Sequence, residues 1–115
     1  MKKLFVLAAA ATILTACQQQ RYSTSGPEIE MAKKADAAYF SGDWATLKSL
    51  YADTAKVIIN RWGVADITVD QMIESFKNGL INYTEYKQGE SPYYEMVVVD
   101  NGDKFVHSWQ EWVGK

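Results

Sequence analysis

Apolar residues recur along the chain in three rhythms. From Leu4 to Leu14 they run almost unbroken, interrupted only by Thr12; from Pro27 to Asn78 they mostly return every three or four residues; from Leu80 onward they alternate. The middle rhythm is that of amphipathic helices, the last that of strands with one face buried. A first helix is predicted from about Pro27 to Ser41, with Met31, Ala35, Ala38 and Tyr39 on one side. Ser25 and Glu28 stand at capping-box spacing before it, and the first helical turn tolerates Pro27. Gly42 sits where a left-handed cap is wanted, because glycine adopts positive φ without a Cβ clash. Asp43 can accept from the free N–H groups of a second helix, whose Trp44, Leu47, Leu50 and Tyr51 fall on one face predicted to be buried. The β-branched triplet Val57-Ile58-Ile59 marks a strand over Lys56 to Trp62, broken by Gly63. Thr68 and Gln71 form another capping box, with Ile67 and Met72 at hydrophobic-staple spacing. A third helix is predicted over Val69 to Asn78, burying Met72, Ile73 and Phe76 and closed by Gly79.

The alternating part reads as a strand over Leu80 to Tyr86, a loop over Lys87 to Pro92, and two strands, Tyr93 to Val99 and Lys104 to Val113, joined by Asp100-Asn101-Gly102-Asp103. With Asn101-Gly102 as a two-residue tip, Val99 opposes Lys104 and Val98 opposes Phe105. Met96 then opposes His107 and Tyr94 opposes Trp109. Those last three pairs share an apolar, aromatic face predicted to point inward, and the opposite face carries Val97 with Val106, Glu95 with Ser108 and Tyr93 with Gln110. Trp112 falls on the outward face, where an exposed ring calls for burial against a partner or further strands.

At 115 residues the chain has room for one domain. Met1 to Ala16 has a Lys2-Lys3 start and an apolar run too short for an ordinary membrane span, so residues 1–16 read as a secretory signal. Without them the chain carries ten basic and fourteen acidic residues, a net charge of −4. That balance argues against nucleic-acid binding, which wants a basic face. Cys17 is the sole cysteine, so an internal disulfide and a cysteine-rich zinc site are excluded. Residues 17–26 follow as a polar tether without periodicity, and residues 27–115 form the domain.

Two resemblances sharpen this picture. Leu14-Thr15-Ala16-Cys17 resembles the bacterial lipobox, which implies that Cys17 receives a diacylglyceryl group before cleavage on its N-terminal side; two or three chains anchor stably where one does not. Gln18, in place of an aspartate that retains many such proteins in the inner membrane, makes the outer membrane the implied destination. Further on, Gly42-Asp43-Trp44, Leu47, Leu50-Tyr51-Ala52-Asp53 and Ala55 are similar to a short pattern of the nuclear transport factor 2-like superfamily, which includes SnoaL-like cyclases, ketosteroid isomerases and scytalone dehydratases. The order helix, helix, strand, helix, antiparallel strands agrees with it. The resemblance implies an α+β cystatin-like cone, three helices packed on a curved antiparallel sheet around a mostly apolar cavity, and it implies no single activity. Such folds continue with one or two strands beyond a position like Val113, so the cone is expected to be incomplete at its C-terminus or completed by a partner chain. Isomerases of this fold keep a carboxylate base at the position of Ile59 or Asn60, and their second acid would lie beyond Lys115. Their mechanism is not expected here.

Expected pocket-lining residues are Tyr39, Asn60, Trp62, Tyr94, Met96, Phe105, His107 and Trp109. His107, the only histidine, is the best candidate for a general base or polar ligand contact; the competing reading is a hydrogen-bonded core histidine. No histidine pair or carboxylate triad marks a metal site, no glycine-rich phosphate loop is present, and no cofactor is expected. Three functions remain open. The first is an envelope lipoprotein that binds a small apolar or aromatic molecule, or a protein partner, without evident catalysis. The second is a SnoaL-like enzyme doing acid/base chemistry on a small carbonyl compound through His107 with Tyr39 or Asn60. The third is a homodimer or partner complex made through an open strand edge. Cys17→Ser is expected to move the chain from the detergent-extracted membrane fraction to the soluble fraction; continued membrane attachment would contradict lipidation at Cys17.

Overall fold

The computed structural model describes residues 20–59 and 63–115. The signal segment, Cys17, Asn60 and Trp62 therefore lie outside the described residues. Helices and antiparallel strands combine in a mixed α+β arrangement. The helices are α1 (Pro27–Ser41), α2 (Trp44–Ser49) and α3 (Val69–Leu80). The strands are β1 (Tyr22–Ser23), β2 (Lys56–Val57), β3 (Ile67–Thr68), β4 (Tyr86–Gln88), β5 (Tyr93–Val98), β6 (Lys104–Trp109) and β7 (Trp112–Gly114). They pair as three small antiparallel units, β1-β5-β6, β2-β3 and β4-β7.

The turn between α1 and α2 follows from Gly42 and Asp43. Gly42 has φ 71° and its N–H donates to the Tyr39 carbonyl, while the Asp43 N–H donates to that of Ala38 at 2.8 Å. This double closure satisfies two of the carbonyls a helix end leaves free. The Asp43 carboxylate accepts from the Thr46 N–H at 3.1 Å, and hydrogen bonding from the Thr46 side chain and then from that N–H lowers its pKa. The Thr68–Gln71 capping box is complete in both directions. The box expected from Ser25 and Glu28 does not form, and Gly26 caps α1 with no side-chain bond. Ser25 is held in a local turn with the Ser23 hydroxyl, and Glu28 is drawn to the ammonium of Lys104.

Helix α1 lies between two cores. Ile29 is fully buried and, with Ala32 beside it, meets Tyr94, Met96, Val98 and Val106 of the three-stranded sheet. Ala35, Ala38 and Tyr39 turn to the other core, made with Leu47, Val69, Met72, Ile73 and Phe76 of the neighbouring helices and with Val57 and Ile67 of the β2-β3 ribbon. Each fully buried side chain of this size contributes roughly 1.5–3 kcal/mol. Met31, expected on the buried side, is 52% exposed, because the other helices meet α1 only from Ala35 onward.

Several strand expectations change. The strand expected from Lys56 to Trp62 stops at Val57 among the described residues: going past Val57 the ladder would run opposite Asp66 and Ala65, which precede the two-residue partner β3 and are not in a strand. Gly79 does not close α3, which runs on through Leu80; the strand expected over Leu80 to Tyr86 begins only at Tyr86. Leu80 is half-buried beside Tyr39 and Phe76, which keeps the last turn wound. The strand expected over Lys104 to Val113 divides into β6 and β7, and β7 pairs with β4. Tyr22–Ser23, within the expected tether, adds a strand to β5.

The hairpin register also differs by one residue. Gly102 donates to the Val99 carbonyl at 2.9 Å and has φ 91°, and Val99 donates to the Asp103 carbonyl at 3.0 Å. The connection is thus a three-residue loop ending on a left-handed glycine rather than a two-residue tip. Val98 pairs with Lys104, Met96 with Val106, Glu95 with His107 and Tyr93 with Trp109. One residue of shift moves a whole strand to the opposite face. Phe105, His107 and Trp109, expected inward, face outward.

The two glycines are expected to respond oppositely to a methyl group. Gly102→Ala forces a side chain into the left-handed region and should lower stability by about 1–2 kcal/mol. Gly79→Ala places its methyl in open space within a helix and should raise stability by about 0.5 kcal/mol. Urea midpoints moving in opposite directions at constant slope would check both.

Candidate functional site

Two adjoining hollows open beside α1, divided by Tyr39 and Phe76, which line both. One, about 260 Å³, is lined by Ala35, Asp36, Tyr39, Leu47, Tyr51, Phe76 and Gln110. The other, about 340 Å³ and more open, adds Leu80, Tyr83 and Trp112 to those two rings. Tyr39 is the hub of the aromatic packing. Its ring meets Phe40 at 5.0 Å, Phe76 at 4.9 Å and Trp44 at 6.0 Å edge-on. Such contacts set the positive edge of one ring against the negative face of the next. Trp112, expected to face outward with Gln110, is 38% exposed and lies against Tyr83 at 4.7 Å and stacks on Tyr86 at 6.4 Å. The β4-β7 pairing brings it there.

A polar ring of four side chains borders the smaller hollow. The Tyr94 hydroxyl donates to Asp36 Oδ2 at 2.6 Å, and Gln110 Nε2 donates to Asp36 Oδ1 at 3.2 Å. Gln88 Nε2 closes the ring by donating to the Tyr94 hydroxyl at 3.0 Å and to Gln110 Oε1 at 2.6 Å. Asp36 comes from α1, Tyr94 from β5, Gln88 from β4 and Gln110 from the link between β6 and β7, so four separate segments converge. Burial, and then the bond to Asp36, push the Tyr94 phenol up from its ordinary pKa. Tyr51 is pushed up by burial and by the charge on Asp36. Both phenols therefore stay protonated near neutrality, and that of Tyr94 donates to Asp36. The arrangement can seat a small body against aromatic walls and orient one polar group at its rim.

No protein-family model matches the chain, and no curated protein matches it.

The expected pocket residues separate. Tyr39 lines both hollows, and Tyr94 reaches the rim of one through its hydroxyl. Met96 is buried in the sheet-side core with Ile29, away from both. Phe105, His107 and Trp109 lie on the outer face of the sheet, where Trp109 is 56% exposed. His107 Nδ1 is 3.4 Å from Glu95 Oε1, and Tyr93 continues the row, its hydroxyl 2.6 Å from that of Tyr22. The Tyr22 phenol is pushed up to about 12, first by that bond. Asn60 and Trp62 lie outside the described residues. Among the described residues, no group of three histidine, cysteine or acidic side chains is placed to hold a metal ion.

Asp36, Gln88 and Gln110 were not among the expected site residues, although Asp36 left a signal. Ile29, Ala32, Asp36 and Phe40 follow one another at helical spacing, so a carboxylate stands in an otherwise apolar row. The glutamines left none, because their approach depends on the β4-β7 pairing.

Tyr94→Phe should cost about 2 kcal/mol at pH 7, since it removes a hydrogen bond to a charged acceptor in a buried setting. The folded-state pKa of Tyr94 lies above its unfolded value, so its contribution is full below about pH 10 and is lost as pH rises through the folded value. Urea unfolding should show that alkaline loss in the unaltered protein and a smaller loss in the variant.

Proposed function

We propose that this protein is a bacterial envelope lipoprotein, tethered through Cys17 to the outer membrane, whose domain binds a small apolar or aromatic molecule in the hollow beside α1. The observation that carries the reading is the convergence of aromatic walls and a closed polar ring on one opening: Tyr39, Tyr51 and Phe76 line it, and Asp36 and Gln110 stand at its edge. Apolar walls with a few convergent polar groups are the usual makeup of small-molecule sites. The tether rests on Leu14 to Cys17, and no helix among the described residues is long and apolar enough to cross a membrane.

The order of the elements supports a nuclear transport factor 2-like cone as the underlying fold. The reading also draws on the Gly42-Asp43 turn and the buried Leu47 behind it, which belong to the segment that resembles that superfamily's pattern. The reading leans away from catalysis, because His107 lies across the sheet from the hollows and faces Glu95 on the outer side. A second reading, a protein partner or second copy laid on the sheet, draws on that outer face, where Tyr22, Tyr93, Phe105 and Trp109 are all exposed.

In the full-length chain purified in detergent, a panel of single-ring aromatic compounds should include members that raise the melting temperature and quench tryptophan emission saturably. At a hundredfold excess over Kd the stabilisation should be about 2.7 kcal/mol. Ala35→Leu, which projects into the smaller hollow, should abolish both responses without lowering the melting temperature of the free protein. A panel without any saturable response would remove the support for small-molecule binding.

A further inference from the structure

The smaller hollow carries a carboxylate that no side chain among the described residues pairs with an opposite charge. Asp36 Oδ1 and Oδ2 each accept one hydrogen bond, from Gln110 and Tyr94, and a carboxylate has about four acceptor positions. Among the described residues no lysine, arginine or histidine stands within ion-pair distance of it. Lys33, one turn earlier on α1, is engaged elsewhere: its ammonium bonds Glu30 at 2.8 Å and lies 5.8 Å from the centre of the Tyr94 ring. Both partners of Asp36 are neutral donors, so its negative charge remains on the rim of the hollow.

The walls favour the same sign. Tyr39, Tyr51 and Phe76 line the hollow with Asp36, and aromatic faces attract cations through their quadrupole. The charge on Asp36 is felt at Tyr51, where it disfavours a second negative group. Among the described residues an anionic ligand would meet a carboxylate and π faces and no lining cation. At about 260 Å³ the hollow is smaller than a typical drug-sized pocket, so its occupant is limited to one ring or a short branched alkyl body.

We propose that this hollow takes a small organic ammonium ion, its positive centre on the Asp36 carboxylate and its apolar body between Tyr39, Tyr51 and Phe76. The assignment rests on the small-molecule reading above and adds the charge of the ligand. The ammonium donates to the free acceptor positions of Asp36, while Tyr94 and Gln110 keep the carboxylate oriented from the other side. The site exchanges one set of water contacts for a charge-assisted bond without disturbing the polar ring.

The test compares 2-phenylethylammonium with 2-phenylethanol, which share the ring and differ in charge, by calorimetric titration of the full-length chain in detergent micelles, with empty micelles as the blank. The ammonium compound is expected to bind about tenfold more tightly, the factor that corresponds to about 1.4 kcal/mol. Its affinity alone should fall as salt is raised, since the site is open enough to be screened. Asp36→Asn, which removes the charge and keeps an acceptor for Tyr94, should bring the two compounds to equal affinity. Equal binding of both by the unaltered protein, or ammonium binding unchanged in a folded Asp36→Asn protein, overturns the cation assignment and leaves the hollow as a neutral site. Binding of neither compound, with no response to the wider aromatic panel, overturns both readings. The compound pair and the salt series decide the matter in the unaltered protein even where the variant fails to fold.

Discussion

The left-handed backbone at Gly102 decides which half of the C-terminal hairpin belongs to the interior. Because Val99 closes on both Gly102 and Asp103, the loop takes three residues and the register places Tyr94, Met96 and Val98 against α1. A two-residue tip would have set these same β5 residues opposite Phe105, His107 and Trp109. The cost of that alternative is visible in the partners on β6. Lys104, Val106 and Ser108 are small or able to extend to the rim, and Lys104 does so to reach Glu28. Two large rings and an imidazole in their place would have had to fit between the sheet and a helix whose facing residues are Ile29 and Ala32. Close-packed interiors tolerate such excess volume poorly.

The same register makes the polar ring possible. With Tyr94 inward its hydroxyl arrives at Asp36, and the end of β6 then carries Gln110 to the other carboxylate oxygen. Helix α1 supplies the rest of the geometry through its two faces. Ile29 and Ala32 fix it to the sheet, Ala38 and Tyr39 fix it to the helices, and Asp36 stands at the seam between them. Neither core would readily admit a carboxylate, since an unpaired buried charge is costly. At the seam it keeps two donors and contact with water.

The helical half of the fold was legible because its signals are local. Gly42, Asp43, Thr68 and Gln71 act within four residues of themselves, and each forms the cap its position implies. The Ser25–Glu28 box failed in part locally, through the Ser23–Ser25 turn, and in part for a reason no local pattern contains: Lys104, seventy-six residues away, draws Glu28 off. Strands were read less well for the same reason. The end of β2 is set by the partner segment, which is in a strand only from Ile67, and β7 is separated from β6 by its pairing with β4. Of the site, Tyr39 and Tyr94 were legible as inward aromatics, whereas the convergence of Gln88 and Gln110 on Asp36 depends on three long-range pairings at once. His107 was misplaced by a single residue of register.

That misplacement bears on what the fold can do. An imidazole on the outer face, half exposed and 3.4 Å from a carboxylate, keeps a histidine–carboxylate pair, but the enclosure that would strengthen its electrostatics is missing. The hollow has the opposite character, with partial enclosure, aromatic walls and a carboxylate held by neutral donors. Recognition chemistry is thus concentrated beside α1, and the most familiar proton-transfer group lies on the other side of the sheet. Bringing the two together would need β6 to slip by one residue, which would also carry Val106 out of the core and break the contact of Lys104 with Glu28. The packing that buries Ile29 therefore holds the two chemistries apart, and the hollow's selectivity rests on Asp36 and its ring of donors.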